Sequence, residues 1–156
     1  MPYCASDVAA AVRASRRRLS SHLVDLGPEQ QDCRPCAACM SIGESLAHLV
    51  SDDRAALEAM TTGPEPDYAA FDEPERDTDA LRANLETSHD QLGDAIERDL
   101  AASPMEVEIS AHASPVKLDA VAVIRCSEDY YLAGQVAFIR LATDPAWNNS
   151  KASCDG

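Results

Sequence analysis

Four runs of apolar residues recur at helical spacing along this chain, and each is stopped by proline or glycine or by the start of a polar tail. Val8, Val12, Leu19, Leu23 and Leu26 advance in steps of four, seven, four and three, which lines them along one side of a helix ending at Gly27-Pro28. Ser6-Asp7 offers an N-cap ahead of that stripe. Ile42, Leu46, Leu49, Val50, Leu57 and Met60 form a second stripe, opened by Ser41 with Glu44 three residues on and closed by Gly63-Pro64. In a Ser-x-x-Glu pair each side chain accepts from the other residue's backbone N–H, which starts a helix. Leu81, Leu85, Leu92, Ile96 and Leu100 make the third stripe, stopped at Ser103-Pro104. The fourth runs from Leu118 to Ala142, with Asp119 in its first turn near the positive end of the helix dipole. The spacing predicts helices over about 11–27, 41–60, 78–102 and 118–142, with ends good to a few residues.

Helices with one apolar stripe each bury those stripes most simply against one another, so the expected fold is an all-α four-helix bundle. A chain of 156 residues suits one such core. Residues 1–147 are read as the bundle and 148–156 as a polar C-terminal tail, with Trp147 as its anchoring residue. Aromatic content is 4% and alanine supplies much of the apolar share, which favours closely packed helices over a sheet. The stretch "GPEPDYAAFDEPER", residues 63–76, reads as a loop, and "MEVEI", residues 105–109, alternates as a short extended piece would, giving at most one small hairpin before the fourth helix. The connections are long enough for crossovers, so an up-down-up-down order is not forced.

The formal charge of −14 argues against nucleic-acid and anionic-membrane partners, which need a basic surface. Arg16-Arg17-Arg18 is a short basic run inside a helical pattern and reads as a solvated face. No apolar stretch approaches the roughly 20 residues that span a bilayer. "MPYCASDVAA" lacks a basic segment followed by an apolar one, so no signal peptide is expected and the cytoplasm is the default. There the six cysteines should be mostly reduced, and Asn148-Asn149-Ser150 carries no meaning as a glycosylation acceptor.

Three groups of residues could carry chemistry. Glu128, in "SEDYYLAGQVAFIRL", shares a helical face with Val121, Ile124, Leu132, Gln135 and Ile139. A lone carboxylate there must be partnered, protonated or solvated, so it is either half of a structural ion pair or a metal-ligating or catalytic group between helices. His48 and Asp52 stand four apart on the second helix and project from one face, where they can chelate a divalent metal or one can orient the other. The same wheel places them on a charged flank away from Leu46 and Leu49, as surface residues would be. Cys33, Cys36 and Cys39 have C-x2-C-x2-C spacing but no fourth ligand for zinc or an iron–sulfur cluster, and read first as loop residues. The chain has no Gly-rich phosphate loop, no G-x-S-x-G and no H-E-x-x-H.

"SIGESLAHLVSDDRAALEAM" and "EDYYLAGQVAFIRLATDPAW", with the third helix and the extended piece between them, resemble the DinB-like (YfiT-like) metalloenzyme superfamily. The Gly134-Gln135 step is the most telling local match. The resemblance implies a bundle of up-down-down-up topology and a homodimer. It also implies a divalent metal held by one histidine on the second helix and two, four residues apart, on the fourth. Carried over, those places fall on His48, Glu128 and Leu132: one ligand kept, one changed to a carboxylate, one lost. Asp52 is the candidate third ligand. Such a site would hold zinc, nickel or manganese weakly or not at all.

Two functions follow from that resemblance. One is a divalent-metal-dependent enzyme of thiol-transfer or related chemistry, with a weakened metal site. The other is a metal-free, non-catalytic binding or stress-associated bundle with a small-molecule ligand. A cysteine-loop metal or redox module is a third possibility carried by Cys33, Cys36 and Cys39 alone.

Overall fold

The computed structural model describes residues 4–62, 70, 73, 77–102, 106–107 and 115–148. Its elements are α1 (Ala5–Leu23), α2 (Pro28–Gln31), α3 (Ile42–Thr62), α4 (Thr78–Ala102), β1 (Glu106–Val107), β2 (Val116–Lys117) and α5 (Leu118–Thr143). The long helices are the four stripes, and α2 is a single added turn. The strands pair antiparallel, Glu106 with Lys117 and Val107 with Val116, within the limit of one small hairpin before the last helix. Most of the loop read at 63–76 lies outside the described residues.

Two helix starts show what local sequence can and cannot settle. At α3, Ser41 N–H donates to Glu44 Oε2 at 2.9 Å and Glu44 N–H to Ser41 Oγ at 3.2 Å. Replacing Ser41 with alanine should therefore cost about 1 kcal/mol, read as a lower urea midpoint at unchanged slope. At α1 the cap is Cys4 rather than Ser6-Asp7: Asp7 sits at the third helical position, accepting from Cys4 N–H at 3.4 Å. The helix thus begins before residue 11 and ends at Leu23, ahead of the Gly27-Pro28 stop.

Which stripe meets which fixes the topology. Leu19 and Leu23 of α1 pack with the start of α3 (Ile42, Leu46), the start of α4 (Leu81, Leu85) and the later part of α5 (Leu132, Val136, Ile139). Val12, at the other end of α1, packs with Ala56 and Met60, with Leu92 and Ile96, and with Leu118 and Val121. So α3 and α4 run against α1 and parallel to each other, while α5 runs with α1. The bundle is up-down-down-up, a parallel α3–α4 pair being possible because a long connection joins them.

Between the two apolar half-cores lies a charged layer. Arg16, Asp53, His89 and Asp129, one from each long helix, are each no more than 3% exposed. Arg16 therefore is not part of a solvated face, which corrects the reading of the basic run. Its Nε donates to Asp129 Oδ1 at 2.9 Å, its Nη1 to the Leu85 carbonyl at 3.1 Å, and its Nη2 lies 3.1 Å from Asp53 Oδ2. His89 presents Nδ1 to Asp53 Oδ2 at 3.3 Å and Nε2 to the Val12 carbonyl at 2.7 Å. Both ring nitrogens face acceptor oxygens.

The C-terminal segment is tied back by Arg140. Its Nη1 donates to the His22 carbonyl at 2.8 Å and also reaches Val24 O, at the negative end of α1. Trp147 covers the Arg140 guanidinium at 5.0 Å and lies 5.8 Å from the His22 ring, the anchoring role expected of it. No helix among the described residues is long and apolar enough to cross a membrane.

Candidate functional site

The inward face of α5 is set by Leu118, Val121, Ala122, Arg125, Asp129, Leu132, Ala133, Val136, Ile139 and Arg140, all buried. Glu128 is at the edge of that face rather than in its middle, with its side chain 37% exposed. The fully buried carboxylate is its neighbour Asp129. Successive residues on a helix are about 100° apart, so a one-residue difference in phase exchanges Glu128 for Asp129 on the inward face.

At that edge α3 and α5 frame a cleft of about 300 Å³. Leu49, Leu132 and Met40 form its apolar side, while His48, Glu128 and Gln135 supply polar groups, with Tyr131 and Cys39 at its walls. His48 and Glu128 thus share one cleft across the α3–α5 interface, and Leu132 lines it one turn from Glu128. The His48 side chain is 57% exposed, as the charged-flank reading expects, but Asp52 is nearly buried.

Arg125 is the residue that organises this place. One of its guanidinium nitrogens, Nη1, lies 3.1 Å from Asp52 Oδ2 and 2.9 Å from Glu128 Oε2. His48 Nε2 is 3.4 Å from the same Asp52 oxygen. Burial pushes the Glu128 carboxyl above its ordinary range; Arg125 opposes that shift and Asp52 adds to it. Burial also works against the Arg125 cation, yet Glu128, Asp52 and Asp53 together raise its pKa further. The guanidinium therefore stays charged between two carboxylates.

That arrangement bears on whether a metal ion fits. Two carboxylate oxygens and one imidazole nitrogen converge, but the point of convergence is held by a side-chain cation. Among the described residues no three histidine, cysteine or carboxylate groups compose a metal-holding set. The residues as arranged do not fit a divalent ion without displacing Arg125.

The cysteine loop differs from expectation as well. Cys36 and Cys39 are joined by a disulfide with Cα atoms 5.1 Å apart, while Cys4, Cys33 and Cys126 are free. A turn closed by Cys39 N–H on the Cys36 carbonyl at 3.0 Å brings them together. The reading of reduced cysteines is corrected for this pair.

Sequence reasoning overlooked Arg125 and the charged layer, although a signal was present. In the first three stripes one step of about seven skips the turn where an apolar residue is due: Val12 to Leu19, Val50 to Leu57, Leu85 to Leu92. The skipped turns hold Arg16, Asp53 and His89, and the corresponding gap between Val121 and Leu132 holds Arg125 and Asp129. Charged residues recurring at stripe spacing in all four helices mark a polar layer.

A parallel α3–α4 pair flanked by α1 and α5, with a cleft where α3 meets α5, defines a particular class of four-helix bundle. The DinB superfamily matches the chain over residues 11–131, and the chain belongs to it. Comparison with curated proteins and with solved structures gives no match.

Proposed function

We propose that this DinB-superfamily bundle is a metal-independent binding protein whose α3–α5 cleft takes a small, mostly apolar molecule carrying a hydrogen-bond donor. The observation that carries this reading is Arg125 Nη1 placed within 3.1 Å of Asp52 and 2.9 Å of Glu128, where a guanidinium supplies the positive charge a metal would bring. The apolar side formed by Leu49 and Leu132 favours an apolar body. The Glu128 side chain keeps 37% of its surface exposed and lines the cleft, so its carboxylate can accept a hydrogen bond from a ligand. Protein purified without a histidine tag should carry no stoichiometric metal and give no binding heat with zinc, nickel or manganese. The competing reading is a metal-dependent enzyme, favoured by His48 lying 3.4 Å from Asp52 on the same cleft. A stoichiometric divalent ion that is lost in His48→Ala would establish it and overturn the first.

The outer side of α5 supports the expected homodimer. Val123, Tyr130, Phe138 and Leu141 are between 48% and 66% exposed and succeed one another along one side of the helix. Gly134 lies between them, with nothing within 4 Å of where its Cβ would be, which leaves room for close helix approach. Such a stripe is costly to leave in water. Sedimentation should show a dimer for the native chain and a monomer for Tyr130→Glu combined with Phe138→Glu. A native monomer would remove the homodimer from this account.

A further inference from the structure

We propose that Cys36 and Cys39 form a reversible dithiol–disulfide pair at the wall of the cleft, exchanging two electrons with a dithiol reductant. This rests on the loop alone and is independent of the cleft's ligand. Only Ala37 and Ala38 separate the two cysteines, so the bond closes a very short loop and constrains the unfolded chain less than a disulfide across a long loop would. Nor does it join two helices: it lies wholly within the segment between α2 and α3. A structural staple is poorly served by such a position.

The turn that brings the sulfurs together does not depend on the bond. Cys39 N–H donates to the Cys36 carbonyl at 3.0 Å, and Arg34 Nη1 donates to the Cys39 carbonyl at 2.8 Å while its other nitrogen pairs with Glu44 of α3. Once an oxidised dithiol has formed a mixed disulfide with Cys36, backbone and Arg34 hold Cys39 near it, so Cys39 closes the bond intramolecularly and expels the dithiol's sulfur. Cys36 is exposed, whereas Cys39 is half-buried and lines the cleft beside His48. Attack from solvent is therefore directed at Cys36.

A reductant thiolate attacks Cys36 Sγ, forming a mixed disulfide as the Cys36–Cys39 bond breaks and Cys39 departs as a thiolate that takes up a proton. The reductant's second thiolate then attacks its own sulfur in that mixed disulfide. This releases Cys36 as a thiol and closes the reductant's ring. Two electrons and two protons pass from the dithiol to the protein, and the reverse sequence returns them. Reduction places a free thiol on the cleft wall where a bonded sulfur stood.

The test equilibrates the full chain in dithiothreitol buffers of graded oxidised-to-reduced ratio, traps free thiols with a maleimide and weighs the products by mass spectrometry. Cys36 and Cys39 should gain label together in one two-electron transition that reverses in oxidised dithiothreitol, with the far-ultraviolet circular dichroism unchanged throughout. Cys33→Ser should keep the transition, and Cys36→Ser or Cys39→Ser should each abolish it. Labelling only after the helices melt would make the bond a structural staple and overturn the proposal. Failure to recover the oxidised form, or loss of the transition in Cys33→Ser, would overturn it equally.

Discussion

Replacing Asp53 with alanine should destabilise the bundle by about 3–5 kcal/mol, the usual cost of removing one partner from a buried ion pair. Asp53 faces Arg16 Nη2 at 3.1 Å and His89 Nδ1 at 3.3 Å, and all three side chains are buried. Without it Arg16 keeps only Asp129 as its counter-charge in the layer. Against a typical total of about 5–15 kcal/mol such a loss leaves a folded but marginal protein. Urea denaturation at neutral pH measures it, and a loss under about 1 kcal/mol would show that the layer is not held by charge.

The same layer sets an acid dependence of two signs. Burial pushes the Asp53 carboxyl up, but Arg16, His89 and Arg125 overcome it and hold the group below the ordinary carboxylate range. Its contribution is present above the unfolded-state value of about 3.9 and is lost as the pH falls through the lower folded value. For Asp129 burial outweighs Arg16, His89 and Ser15, so its carboxyl lies above the ordinary range. That contribution is complete below the unfolded value and is lost as the pH rises through the folded one. Urea midpoints measured from about pH 3 to about pH 7 should therefore separate two variants. Asp129→Asn loses the gain seen on mild acidification, and Asp53→Asn loses the steep fall at the acid end.

The second large effect is expected at Arg125. Arg125→Ala leaves Asp52, only 8% exposed, without its guanidinium partner and should cost about 3 kcal/mol. The vacated point is then bounded by Asp52, Glu128 and His48, and a divalent ion can take the lost cation's place. Zinc at about 100 times its dissociation constant would restore about 2.7 kcal/mol. Adding Leu132→His should strengthen the gain, because residues 128 and 132 project from one side of α5 into the same cleft. Glu128→His with Arg125 retained should instead weaken the bundle, since the guanidinium loses the oxygen at 2.9 Å. Thermal melts and calorimetric titration with zinc, nickel and manganese decide among these. A folded Arg125→Ala that no metal stabilises would show that the three donors cannot converge on an ion.

By itself the sequence determined what is local. The spacing of Leu81, Leu85, Leu92 and Ile96, the Ser41–Glu44 pairing and the Ser103-Pro104 stop each act within a few residues, so the long helices and the all-α class were legible. His48 and Asp52 could likewise be placed together, because a helix fixes residues four apart. The tertiary structure decided what depends on rotation and on partners. Glu128 and Asp129 are adjacent and chemically alike, yet only the second is fully buried; the choice comes from how α5 turns against α1, where Arg16 and Ser15 meet Asp129. Of Arg16, Arg17 and Arg18 the stripe spacing singles out Arg16, but that it faces Asp53 and Asp129 depends on how α3 and α5 pack against α1. The gap in the α5 stripe marks Arg125, and its spacing puts it one turn from Glu128, but nothing in the linear text pairs it with Asp52, 73 residues away. A hydrophobic stripe needs only a greasy neighbour, so its own pattern reveals it. A buried charge needs one particular opposite charge, and in this chain the helices that supply it come together only when the bundle closes.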